Sequence, residues 1–129
     1  MKTKLLLLIA VLAVDAANGA FASAQDYVFV PIQTEIAKGD DVTVTVRLLH
    51  KPTGKSVSNA AIIRTRMDMG PDGMAEMAIP LKPSATAEAG TYAFKADLSM
   101  LRRWAFSLAA KVQGEPETIV GKITLTVKP

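Results

Sequence analysis

The chain has 129 residues, with 15 Lys and Arg, 12 Asp and Glu, a single His, no Cys and a formal net charge of +3. That length suits one domain. So small a positive balance gives no electrostatic case for nucleic acid, and without a thiol there is no disulfide, thiolate nucleophile or thiolate metal ligand.

Lys2 and Lys4 precede an apolar run from Leu5 to Val14, and small residues follow, ending in Ala22-Ser23-Ala24. This is the pattern of a cleavable secretory signal peptide over residues 1–24, with Ala20-Phe21-Ala22 as a second cleavage site. The run is too short to span a bilayer, and no Cys follows it to carry a lipid, so no stable membrane anchor is expected. The expected mature domain is residues 25–129, beginning at Gln25. Without Lys2, Lys4 and Asp15 it carries 13 basic and 11 acidic side chains, a net charge of +2. An exported domain of this size without disulfides must be held by its core.

The domain reads as short strands separated by turn signals. Tyr27 to Ile32 is aromatic and β-branched, and Pro31 suits it to an edge. Lys38-Gly39-Asp40-Asp41 is expected as a turn. Val42 to Leu48 then alternates, with Val42, Val44, Val46 and Leu48 inward. A loop over His50 to Lys55 leads through Val57 into Ala60–Met69. There, strict alternation puts Ile63, Thr65, Met67 and Met69 on one face and Ile62, Arg64, Arg66 and Asp68 on the other. Gly70-Pro71-Asp72-Gly73 is a turn cluster, and Met74 to Leu81 is the return strand. Pro83 to Ala89 is expected as a loop. The next strand carries Tyr92 and Phe94 on one face, and Asp97 to Arg103 is expected as a turn. Trp104, Phe106, Leu108, Ala110 and Val112 form the strongest period-two face. After Gln113-Gly114-Glu115-Pro116, a last strand over 119–127 turns Ile123, Leu125 and Val127 inward. Seven strands and no helix predict an all-β fold, an antiparallel β-sandwich of immunoglobulin type. Trp104 is the expected core anchor. Tyr92 is placed for a tyrosine-corner-like contact, although the Cys that ordinarily follows is missing.

Residues 66–77 depart furthest from ordinary composition. Four of the six methionines, Met67, Met69, Met74 and Met77, fall within them, and Met100 lies in a later turn. Methionine is commonly a flexible core filler, but its thioether also selects Cu(I) among biological metals. Met69 and Met74 flank the turn and are the strongest ligand candidates. Met67 shares a face with Ile63 and is the most core-like. Met77 is one residue out of phase and needs a bulge or an irregular strand start to join. Met100 joins only if its turn lies at the same end of the sandwich. Asp68, Asp72 and Glu76 recur every fourth residue, which does not fit an EF-hand loop; a solvated face pairing with Arg64 and Arg66 is the plainer reading. Arg102-Arg103 reads as a solvated turn, with docking of an acidic partner as the alternative. His50 reads as an exposed loop residue. Nothing has the order of a nucleophile and base with motif context, so a binding protein is expected rather than an enzyme.

The segments Arg66-Met67-Asp68-Met69, Pro71-Asp72-Gly73-Met74, Gly90-Thr91-Tyr92-Ala93-Phe94 and Asp97-Leu98-Ser99-Met100, with Trp104 four positions on, resemble the FixH-like or YtkA-like family of secreted immunoglobulin-like domains. The resemblance covers roughly residues 60–127, with the upstream strands matching in pattern only. It implies periplasmic metal handling, either with copper- and silver-efflux machinery or in oxidase copper maturation. Similar sequences tend to have Gly just before the Arg-Trp pair, whereas this chain has Arg102. Three functions follow as expectations. The first is a periplasmic Cu(I) or Ag(I) carrier or buffer using Met67, Met69, Met74, Met77 and Met100, partnered by an efflux protein. The second is a copper-delivery factor for respiratory oxidase assembly. The third is an immunoglobulin-like structural or interaction module that binds no metal.

Overall fold

The computed structural model describes residues 24–129. Apart from Ala24, the expected signal peptide lies outside the described residues. Ten strands are present: β1 (Tyr27–Pro31), β2 (Glu35–Ala37), β3 (Gly39–His50), β4 (Lys55–Ser56), β5 (Ala60–Met69), β6 (Met74–Ile79), β7 (Lys82–Ser84), β8 (Thr91–Leu98), β9 (Arg102–Val112) and β10 (Ile119–Lys128). The seven expected strands are all there, joined by three short ones, β2, β4 and β7. No α-helix occurs among the described residues; two 3-10 turns, Ala24–Asp26 and Gly70–Asp72, are the only helical pieces. One sheet has the order β1-β3-β8-β7 with β4 also on β3, and the other the order β2-β10-β9-β5-β6. All pairs are antiparallel except the short parallel pair of β2 with β10. The result is an immunoglobulin-like β-sandwich.

The two inner faces close on one another. Val44, Val46, Leu48, Phe94 and Leu98 come from the first sheet, and Met67, Met69, Trp104, Phe106, Leu108 and Leu125 from the second. Phe94 meets Phe106 edge to face across the interior, with ring centres 5.5 Å apart. Full burial of a side chain of this size contributes about 1.5–3 kcal/mol, so the interior holds the sheets together without a covalent link. The Tyr92 hydroxyl donates to the Val57 carbonyl at 2.6 Å and accepts the Ala60 amide N–H at 3.2 Å. It thereby pins the connection into β5 in the manner of a tyrosine corner.

Four local expectations change. Strict alternation along β5 fails at Ile63, because Ile62 pairs with Ala110 and Arg64 with Ala109, leaving Ile63 as a bulge. Ala60 and Ile62 therefore face the core before the bulge, and Thr65, Met67 and Met69 face it afterwards; Ile63 itself is 52% exposed. Gly39-Asp40-Asp41 belongs to β3, where a register shift opposite β8 absorbs the turn-like residues. Asp97-Leu98 and Arg102-Arg103 extend β8 and β9, so the connection shrinks to Ser99-Met100-Leu101. Lys82–Ser84 pairs with β8 as β7, although it was expected to be partly loop.

Candidate functional site

The end of β5 and the start of β6 build the methionine region. Met67 pairs with Ile79 and Asp68 with Ala78, and then the register jumps so that Met69 pairs with Met74. Ala75, Glu76 and Met77 are left without partners on β5, which is the irregular strand start that a converging Met77 requires. Arg66 holds this bulge, its Nη2 donating to the Ala75 carbonyl at 2.7 Å. The turn between the strands is a 3-10 turn with Pro71 at its start. It closes on Gly73, whose N–H donates to the Gly70 carbonyl at 2.9 Å and whose φ of +78° is one that glycine adopts without steric cost.

Two carboxylates fasten the turn. Asp68 is buried, with Oδ1 accepting the Gly70 N–H and Oδ2 accepting the Arg66 Nε–H, each at 2.8 Å. These bonds, the Gly70 amide first and then Arg66, hold its carboxyl below the usual range against the opposing effect of burial. Asp72 accepts the Arg103 backbone N–H at 2.8 Å and the Arg103 guanidinium at 3.1 Å, and that guanidinium also donates to the Pro71 carbonyl at 2.7 Å. The Arg103 amide is the main reason that the Asp72 carboxyl also sits below its usual range. The clamp ties the turn to the start of β9. Arg66 pairs with Asp68 as expected, whereas Arg64 pairs with no carboxylate among the described residues; Arg103 is exposed as expected, but it lies in β9 and its guanidinium is committed to Asp72 and the Pro71 carbonyl. Its partner was not legible because nothing in one segment shows that Asp72 faces the first residues of β9. Among the described residues no three His, Cys, Asp or Glu gather as a metal-binding group.

The methionines divide by exposure. Met67, which pairs with Phe106, and Met69 are both sealed in the core. Met74 is half-buried and packs against that core. Met77, on the β6 edge, is 39% exposed, and Met100 is 43% exposed. Antiparallel pairing puts the C-terminal end of β5 beside the start of β9, which the Ser99–Leu101 connection joins directly to the end of β8. Met100 therefore lies at the same end of the sandwich as the Met69–Met74 pair. The Trp104 indole N–H donates to the Met100 carbonyl at 3.1 Å, fastening that connection to the core anchor. Arg102 has a φ of +96°, a conformation that favours glycine.

His50 ends β3 at the opposite end of the sandwich. It pairs with Tyr27, its ring lies 5.0 Å from the Tyr27 ring, and its Nδ1 is 2.8 Å from the Thr53 hydroxyl. The soft donors at the Met69 end are therefore thioethers, with no imidazole among them.

A family model described as YtkA-like matches residues 21–109, extending over the upstream strands as well as the methionine hairpin. No curated protein matches the chain. Among solved structures, the Lin-41 filamin domain is similar at 16% identity and a TM-score of 0.47, over 84% of this chain and 95% of that one. The ZirS C-terminal domain is similar at 12% identity and a TM-score of 0.42, over 83% of this chain and 68% of that one.

Proposed function

This chain belongs to the YtkA-like family, and we propose that it is a periplasmic Cu(I)- or Ag(I)-binding protein that carries or buffers the metal for export or tolerance. The observation that supports this most is the pairing of Met69 with Met74 across the register break. One residue of the pair is sealed and the other half-buried, so thioethers run from the core toward the surface at one end of the sandwich. In this reading the metal is cargo, and Met69 and Met74 are its principal ligands. Met100 and Met77, both accessible, complete the set, and Met67 supports it from the core. Transfer is ligand exchange: a thioether of an efflux partner enters as Met77 or Met100 leaves. No bond-making chemistry beyond coordination is needed, and the protein is not an enzyme in this reading.

Thioethers carry no proton to lose, so their metal affinity does not fall in acid as that of an imidazole does. Competition against a calibrated Cu(I) chelator at about pH 7 and about pH 5 tests this, since an ordinary His titrates near 6.5. The proposal predicts equal affinity at both. Affinity lost at the lower pH would assign the metal to His50 or the carboxylates. The burial of Met67 and Met69 also suits a plain interaction module with Met as core filler, and an absence of saturable binding at either pH would favour that module.

A further inference from the structure

The outward face of the second sheet carries a trough that the methionines do not use. Its floor is β9 at Ser107 and Leu108 with Gly121 of β10 beside it; along β9 the outward Ala105, Ser107 and Ala109, both alanines buried, alternate with the inward Trp104, Phe106 and Leu108. The register places Arg66 and Lys122 on either side of Ser107, and Arg64 and Val120 on either side of Ala109. Small residues between long ones leave a depression of about 500 Å³, walled by Arg64, Arg66, Val120 and Lys122. Arg66 is committed to Asp68 and the Ala75 carbonyl. Arg64 and Lys122 are exposed and make no hydrogen bond or ion pair with the described residues, and the half-buried Ser107 hydroxyl has no partner there either.

We infer that this trough docks an extended acidic segment of a partner protein, with carboxylates at alternate positions. Same-face residues two apart on β5 are separated by about 6.5–7 Å, which is also the repeat of alternate side chains in an extended peptide. Arg64 and Lys122, level with Ala109 and Ser107 on β9, are offset along the trough by that same repeat, one on each wall. The walls, β5 and β10, stand two strand spacings apart, roughly 9.5 Å, enough for one extended chain and less than the roughly 10–12 Å diameter of a helix. Arg64 offers a carboxylate a two-pronged donor, Lys122 a point charge from the other wall, and Ser107 a hydroxyl at the base. Val120, 69% exposed, supplies an apolar contact for the intervening residues. This docking does not require metal binding and stands apart from the thioether reading.

The test is fluorescence anisotropy of a labelled octapeptide alternating Glu and Thr, titrated with the metal-free protein. Comparison peptides are the same composition in two blocks and a Gln-for-Glu version. Binding should favour the alternating peptide, vanish for the Gln version and weaken with salt. Arg64→Gln combined with Lys122→Gln should weaken it roughly tenfold, the combined effect of two exposed charge contacts. Lys51→Gln combined with Lys55→Gln, on the other sheet, removes the same charge and should leave binding unchanged. Equal losses in the two double variants, equal binding of the block peptide, or no binding of the alternating peptide would each overturn the inference. Capture by anionic phosphatidylglycerol vesicles that depends on Arg64 and Lys122, with the peptide unbound, would overturn it in favour of a membrane surface.

Discussion

Replacing Arg102 with glycine should stabilise the protein. Arg102 is the one described non-glycine residue with a positive φ, +96°. Holding an L-residue in the left-handed region costs roughly 1–2 kcal/mol. Glycine removes that cost but has more freedom to lose on folding, about 0.5–1 kcal/mol, so the net gain is about 0.5–1 kcal/mol. The Arg102 side chain is exposed and makes no hydrogen bond or ion pair with the described residues, so little is lost with it. Unfolding entropy for a domain of this size is about 0.2 kcal/mol per kelvin, and the midpoint should rise by roughly 2–5 °C. Thermal unfolding followed by fluorescence of Trp104, the single tryptophan, reads this directly. Arg102→Ala, which keeps the positive φ with a side chain present, should show no comparable rise. A glycine variant that melts at or below the parent, or an alanine variant with the same gain, would refute backbone strain as the cause.

Two further predictions concern the two ends of the sandwich. Gly90 has a φ of +82°, and a Cβ there would run into the Ser56 Cβ, so Gly90→Ala should destabilise by about 2 kcal/mol or more; a loss below about 0.5 kcal/mol in denaturant melts would mean that the contact yields freely. Asp68 and Asp72 have folded pKa values below the ordinary 3.8, so the unfolded chain binds more protons in the interval between. Their contribution to stability is full above that unfolded value and is lost as the pH falls through the lowered folded values. Denaturant midpoints should therefore drop as the pH falls below about 5, less steeply in Asp72→Asn; identical slopes would contradict the Arg103 clamp.

The long strands were legible wherever one face is apolar for its whole length. Val44, Val46 and Leu48 on β3, and Trp104 to Val112 on β9, show their burial in their spacing, and the seven-strand sandwich follows from them. β2, β4 and β7 were not legible, because two or three residues are too few to show a period and their pairing depends on neighbours far along the chain. Ile63 illustrates the other failure. It continues the alternation of β5, but β9 opposite offers one residue fewer, and the resulting bulge moves it outward. The same applies to the site. The thioether chemistry is visible in residues 66–77, whereas the Met69–Met74 pairing rests on a register break created by three unpaired residues. The Arg103–Asp72 clamp and the Arg64–Lys122 trough join residues from different strands, and no single segment reveals either.

The central claim is that Met69 and Met74 bind metal rather than merely fill space. Leucine matches methionine closely in volume, and such swaps in a core usually cost less than about 1.5 kcal/mol, but leucine has no sulfur to coordinate. The direct measurement is titration of Ag(I) or Cu(I) into the Met69→Leu, Met74→Leu double variant beside the parent, with a metal-free thermal melt of each. The expected result is a melting temperature close to the parent's and loss of most metal binding. A double variant that binds as tightly as the parent, or a parent that binds no more than a non-specific amount, would contradict the claim.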